Sequence, residues 1–215
     1  MVREQLEARG IRDAAVLAAM ASVPRERFVP PALRRDAYDD GALAIGHGQT
    51  ISQPWIVARM TEALQLRAWS AAHPGRPPRV LDVGTGSGYQ AAVLAAMGAS
   101  VVSIERDAEL SRRAAATLGG LGVRLELVVG DGSLGHPPRA PYAAIVVAAA
   151  APDVPRPLVE QLEDGGRLVL PIGPRSRQEL TVVTREGDHV VRRELDPAVF
   201  VPLLGRYGQD SDPDA

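Results

Sequence analysis

The sequence predicts an α/β protein built on a doubly wound, mostly parallel sheet. Three observations carry that expectation. Apolar runs of strand length alternate with helix-length segments between residues 79 and 172. One of those runs passes straight into three glycines at alternate positions, Val80-Leu81-Asp82-Val83-Gly84-Thr85-Gly86-Ser87-Gly88. The next two strand-like runs end in acidic side chains, at Glu105 and Asp131. Open α/β sheets bind ligands outside the carboxyl ends of their strands, so these marks fall where a cofactor is held.

Residues 1–78 read as a helical and loop extension. Asp13 is placed to cap a helix through Ala21, whose Val16, Leu17 and Met20 recur at helical spacing before Pro24 stops it. Residues 24–53 read as loop with short helical and extended pieces, and their glycines, prolines and polar side chains favour exposed, irregular backbone. Pro54 suits a first helical turn, and Ile56, Val57, Met60, Thr61 and Leu64 give that helix an apolar face. The prolines and glycine of 71–78 mark a surface connection. The sheet follows as strand 79–83, helix 88–97, strand 100–104, helix 107–119, strand 124–129, strand 142–148, helix 155–162 and strand 167–172. Beyond Gly173, runs at 179–184 and 189–195 around Gly187-Asp188 predict two antiparallel edge strands. The chain thus divides into an extension over 1–78, a cofactor-binding fold over 79–206 and a flexible acidic tail over 207–215, with the first two packed as one globular domain.

With 215 residues, 46% of them hydrophobic, the chain can bury an ordinary single core. A net charge of -2 without basic runs leaves no electrostatic footprint for nucleic acid. No apolar window reaches membrane-span length, and Met1-Val2-Arg3-Glu4-Gln5 opens a mixed-charge helix pattern, so a cytoplasmic monomer is expected. The sequence contains neither cysteine nor lysine, which excludes thiol nucleophiles, Schiff bases and a lysine base. His47, His73, His136 and His189 lie far apart without ligand spacing, and no metal is expected.

Glycine spacing narrows the ligand. A dinucleotide fingerprint is G-x-G-x-x-G, whereas Gly84, Gly86 and Gly88 form G-x-G-x-G. Ser87 is not a nucleophile elbow, because Thr85 and Tyr89 stand where glycines are required. Glu105, 19 residues after Gly86, is in reach of both hydroxyls of a ribose, with solvated helix capping as the plainer reading. Asp131, within Gly130-Asp131-Gly132, is placed to accept from an adenine amine, although Gly-Asp-Gly is also a common turn. The form Leu81-Asp82-Val83-Gly84-Thr85-Gly86 resembles motif I of the class I S-adenosylmethionine methyltransferases. That resemblance implies a cofactor set of Asp82, Gly84, Thr85, Gly86, Ser87, Gly88, Glu105, Arg106, Asp131 and Gly132, with Asp82 orienting the loop or meeting the methionine end.

A narrower resemblance covers residues 3–204. The segments 24–30 (PRERFVP), 45–54 (IGHGQTISQP), 79–91 (RVLDVGTGSGYQA), 164–173 (DGGRLVLPIG) and 200–203 (FVPL) resemble the protein-L-isoaspartate O-methyltransferases. The family transfers the methyl of S-adenosylmethionine to the free α-carboxylate of isoaspartyl residues in damaged proteins and peptides, leaving S-adenosylhomocysteine. The ester then collapses to a succinimide that reopens partly as aspartate. The resemblance implies that Ser52 is the active-site serine, that Thr50, Ile51 and Gln53 assist it, and that Val201 and Pro202 hold the substrate main chain. From spacing alone Ser52 reads first as a helix cap before Pro54, and it is the resemblance that favours a site role. A carboxylate with a pKa of about 3.3–4 is already ionised at pH 7, so the missing lysine and cysteine are not needed. The chain departs from the family at Ser133, where a tryptophan is common, and at Ala143 and Ala148. Rival readings are a class I methyltransferase with another small acceptor, a catalytically weak binding module, and, further off, a nicotinamide-dependent oxidoreductase.

Overall fold

The computed structural model describes residues 1–209. In chain order its main elements are α1 (Ala14–Ser22), β1 (Leu43–Gly46), β2 (Gln49–Ile51), α2 (Pro54–Ala63), α3 (Leu66–Ala72), β3 (Arg79–Val83), α4 (Tyr89–Ala96), β4 (Ser100–Glu105), α5 (Ala108–Gly120), β5 (Glu126–Val129), β6 (Tyr142–Val147), α6 (Arg156–Glu160), β7 (Leu162–Ile172), β8 (Gln178–Glu186) and β9 (His189–Ala198). Seven strands form one sheet in the order β5-β4-β3-β6-β7-β8-β9. The pairs from β5 to β7 are parallel, and β8 and β9 add antiparallel edges. A parallel strand covered on both faces needs a nearly continuous apolar run, and Val80, Leu81 and Val83 of β3 are at most 1% exposed. Because β4 lies on one side of β3 and β6 on the other, the strand order reverses beside β3, which opens a crevice at its carboxyl end.

The extension packs against one face of this layer. Leu6, Ile11, Val16, Met20, Phe28 and Val29 share a core with Tyr89, Val93, Leu110 and Leu118 of α4 and α5. The Asp13 side chain accepts from Ala15 N at 2.8 Å and starts α1, and Asp107 starts α5 by accepting from Glu109 N and Leu110 N. No helix among the described residues is long and apolar enough to cross a membrane.

Four expectations need correction. The region 24–53 is neither uniformly irregular nor exposed. Arg25 and Phe28 are buried, and β1 and β2 form a hairpin. Its two-residue turn, His47-Gly48, holds φ at 55° and 67°, the doubly positive combination that suits the twist of paired strands. Second, Gln65 adopts φ 53° after α2, and α3 then occupies the first two residues of the expected 71–78 connection. Third, α6 has five residues where 155–162 was expected, because Gln161 and Leu162 already pair with Tyr142 in the sheet. β7 begins at Leu162, opposite Tyr142, and runs through a register shift into the expected 167–172. Fourth, residues 207–209, placed in the tail by sequence, are tied down: Tyr207 N donates to Ser133 Oγ, and Gln209 N to the Leu203 carbonyl. The rest of that tail lies outside the described residues.

Candidate active site

A cavity of about 590 Å³ opens at the carboxyl ends of β3, β4 and β6. Its floor is the turn from β3 into α4. Gly84, Gly86 and Gly88 hold φ at 91°, 52° and 89°, values that side-chain-bearing residues rarely adopt. Gly84 N and Thr85 N donate to the Ile104 carbonyl, and Gly88 N closes the turn on the Thr85 carbonyl at 2.7 Å. A Cβ on Gly88 would lie 3.2 Å from Leu118 Cδ1, so that glycine serves helix packing and does not line the cavity. Gly84, Thr85, Gly86 and Ser87 do line it.

Glu105 closes the far side. Its carboxylate accepts from Gly86 N at 2.8 Å and from Asp107 N at 3.0 Å, which locks the acid to the glycine turn while it remains on the cavity wall beside Arg106. Each oxygen keeps a further lone pair, an acceptor set suited to the two hydroxyls of a vicinal diol. Asp82 lies beneath the turn with no exposed surface and is not on the wall. Ser103 Oγ donates to Asp82 Oδ2 at 2.7 Å, and Thr85 Oγ1 meets the same Ser103 hydroxyl at 2.5 Å. Asp82 Oδ1 has no partner among the described residues. Burial, opposed by the Ser103 hydrogen bond and reinforced by Glu105, pushes the Asp82 carboxyl up to about 7.

Asp131 also sits off the wall, although Gly132 is on it. Its Oδ1 accepts from Ser133 N and Ser133 Oγ, and its Oδ2 accepts from Arg206 N at 2.8 Å. These bonds hold Asp131 below its ordinary pKa against the opposing effect of partial burial, with Arg106 adding to them. Ser133, the departure from the family pattern, therefore helps to fasten the C-terminal turn.

The side of the cavity expected to face an acceptor is built from two segments. The hairpin rests on the glycine turn, with Ile45 Cδ1 3.4 Å from the position of a Gly86 Cβ, and delivers Thr50, Ile51, Ser52 and Gln53 to the wall. Gln53 is the residue before α2 and makes no side-chain cap, so the helix-cap reading of Ser52 does not hold. His47 pairs with Asp107 at 2.7 Å, away from Ser52. Opposite, Val201 and Pro202 belong to a strap held on Ala150: Ala150 N donates to the Val201 carbonyl and Leu203 N to the Ala150 carbonyl, each at 2.8 Å. Gln178 clamps Phe200 through both its N–H and its carbonyl.

The sequence reading missed the rim. Arg9 lies 4.4 Å over the Trp55 ring and pairs with Asp40 at 2.9 Å, and Gln53 Nε2 donates to Asp40 Oδ1. Arg9, Asp40 and Trp55 all line the cavity. No local pattern announces a meeting of residues 9, 40 and 55. Among the described residues no cluster of His, Asp or Glu is arranged to hold a metal ion.

The sequence model of the protein-L-isoaspartate(D-aspartate) O-methyltransferase family matches residues 1–208. A protein-L-isoaspartate O-methyltransferase from Methanoculleus marisnigri is 52% identical over 209 residues, covering 97% of this chain and 91% of its own. One from Methylorubrum extorquens is 54% identical, covering 97% and 88%. A Plasmodium falciparum structure described as such a methyltransferase in complex with S-adenosyl-L-homocysteine superimposes with a TM-score of 0.78 at 26% identity, over 94% of this chain and 96% of that one. Another structure of the same designation reaches a TM-score of 0.83 at 28% identity, over 97% of this chain and 67% of that one.

Proposed function

Because the chain belongs to the protein-L-isoaspartate(D-aspartate) O-methyltransferase family and methylates isoaspartyl residues with S-adenosylmethionine, we propose that Ser52 is the residue that holds its acceptor carboxylate. The observation that carries this reading is the position of Ser52. It follows a hairpin seated on the glycine turn, lines the cavity, and leaves the capping position of α2 to Gln53. Its hydroxyl donates one hydrogen bond to the carboxylate, while Thr50, Ile51 and Gln53 shape the wall, and Val201 and Pro202 guide the peptide main chain.

The residues on the other wall fit the cofactor. Gly84 and Gly86, both at positive φ on the wall, allow close approach to the backbone, and Glu105 offers its remaining lone pairs to the ribose hydroxyls. Arg106 and Gly132 border the same side, with Ser87 at the head of the turn. Gly88, Asp82 and Asp131 act behind the wall. Gly88 packs α4 on α5, Asp82 supports the turn through Ser103 and Thr85, and Asp131 fastens the C-terminal strap. When bound, S-adenosylmethionine supplies an electrophilic methyl on a sulfonium. The chain's task is to hold a carboxylate oxygen in line with it, and well-oriented pairs of this kind gain about 7–11 kcal/mol. No base is required, since the acceptor is ionised. In this division residues 1–78, with the strap at 201–202, carry the acceptor side and the rest of 79–206 the cofactor side of one cytoplasmic monomer, with neither nucleic acid nor membrane as partner.

Ser52→Ala tests the assignment. Turnover of an isoaspartyl peptide falls by roughly ten- to a hundredfold, the range for one hydrogen bond to a charged group, while calorimetric affinity for S-adenosylhomocysteine stays within about twofold. Unchanged turnover removes Ser52 from the reaction. Lost cofactor affinity moves it to the wrong half of the site. The aspartyl twin of the peptide takes no base-labile methyl.

A further inference from the structure

Arg25 is a fully buried cation without a counter-ion among the described residues. It has no exposed surface, Nε donates to the Ala37 carbonyl at 2.7 Å, Nη2 donates to the Ser52 carbonyl at 2.7 Å, and Nη1 has no partner among the described residues. The guanidinium lies 4.9 Å from the centre of the Tyr89 ring. The titratable groups that face it are Tyr89, pushed up to about 12 by burial, and Tyr38, also raised; both are neutral phenols at pH 7. Glu26, the nearest acid in sequence, is engaged by the Tyr38 hydroxyl. Removing a charge from water is costly unless an opposite charge or a full set of hydrogen bonds compensates it, and here two carbonyls and a ring face do so only in part.

The position of this charge gives it a use. Arg25 grips the main chain of Ser52 from behind and touches the first residue of α4, directly after the glycine turn. It therefore bridges the acceptor and cofactor walls without lining the cavity. We propose that Arg25 is a positioning residue whose buried charge, set one residue's depth behind Ser52, selects the ionised isoaspartyl carboxylate over an uncharged group at the same place. The proposal rests on the placement of the acceptor carboxylate at Ser52. Methyl transfer consumes the carboxylate charge, so a fixed cation nearby stabilises the bound acceptor more than the transition state. Its loss therefore raises KM without lowering kcat.

The test compares an isoaspartyl peptide with its analogue in which the α-carboxylate is a carboxamide, the first as substrate and the second as competitive inhibitor. In Arg25→Gln the KM of the carboxylate rises on the order of ten- to a hundredfold, as expected for a unit charge several ångströms away in a protein interior. Its kcat and the inhibition constant of the carboxamide change less than about threefold. Arg25→Lys, which keeps the charge and loses the fork, retains the preference for carboxylate. The proposal is overturned if both ligands weaken equally in Arg25→Gln, if its KM is unchanged, or if folded Arg25→Lys loses the preference. The last comparison stands by itself if Arg25→Gln does not fold. Failure of the Ser52 placement shows separately, as unchanged turnover in Ser52→Ala while the carboxylate preference of the native protein persists.

Discussion

Replacing Asp82 by asparagine isolates one charge from one shape. Asp82 is wholly buried, its pKa is pushed from 3.8 to about 7 mainly by desolvation, and its one hydrogen-bond partner is Ser103. A raised carboxyl favours the protonated folded state. Its contribution to stability is therefore complete below pH 4, declines as pH rises towards 7, and is gone above that. The interval from 3.8 to about 7 corresponds to about 4 kcal/mol at 1.36 kcal/mol per pH unit. Asparagine removes this dependence and keeps the chain of hydroxyls, because its amide can donate to Ser103 while Ser103 turns to donate to Thr85. Urea unfolding at pH 4.5, 6 and 8 measures the difference. The stability of Asp82→Asn relative to the native protein should improve progressively with pH, by about 3 kcal/mol between pH 4.5 and 8. Parallel pH profiles for the two proteins would refute the claim that a buried, largely uncompensated carboxylate lies under the glycine turn.

Other outcomes follow from the packing around the site. Gly88→Ala places a methyl 3.2 Å from Leu118 at φ 89°, and should cost about 1–3 kcal/mol in urea unfolding; a stability within 0.5 kcal/mol of the native protein contradicts that crowding. Glu105→Gln puts an amide N–H where Gly86 N and Asp107 N both need acceptors, and calorimetry should show S-adenosylhomocysteine binding weakened roughly tenfold or more. Asp131→Asn removes an acceptor from either Ser133 or Arg206, so hydrogen exchange at 203–209 should quicken and the KM for peptide rise several-fold; exchange unchanged from the native protein would show that the strap is held by other contacts.

The legible parts of the chain are those in which one local rule suffices. β3 reads as a buried parallel strand because Val80, Leu81 and Val83 leave it no polar face, and α1 starts at its sequence-predicted cap, Asp13. The expected antiparallel edges are β8 and β9. The parts that were not legible depend on an unusual backbone or on distance. Gln65 takes a left-handed conformation that sequence assigns first to glycine, so nothing marked the break between α2 and α3. His47 does the same in the hairpin turn, where Asn-Gly would have announced it. β7 enters the sheet at Leu162 through a register shift opposite Tyr142, a feature of pairing between segments twenty residues apart.

The same distinction governs the site. Glycine spacing and the acids at the strand ends are local, and they mark the wall proposed for the cofactor. They do not say which acid lies on the cavity wall and which one lies behind it. Glu105 and Asp131 occupy equivalent places in the sequence logic, yet Glu105 faces the cavity, whereas Asp131 has its oxygens engaged by Ser133 and Arg206. What separates them is the C-terminal turn, which returns to the end of β5 some seventy-five residues later and needs an acceptor there. Arg25 shows the converse. A sequence-polar residue in a proline-rich stretch reads as solvated, but three distant elements converge on it: the Ala37 and Ser52 carbonyls and the Tyr89 ring. Burial of an arginine is tolerated only where such acceptors are already assembled. The acceptor loop and the cofactor turn therefore have to form together, which makes the N-terminal extension a structural requirement of the site and not an attachment to it.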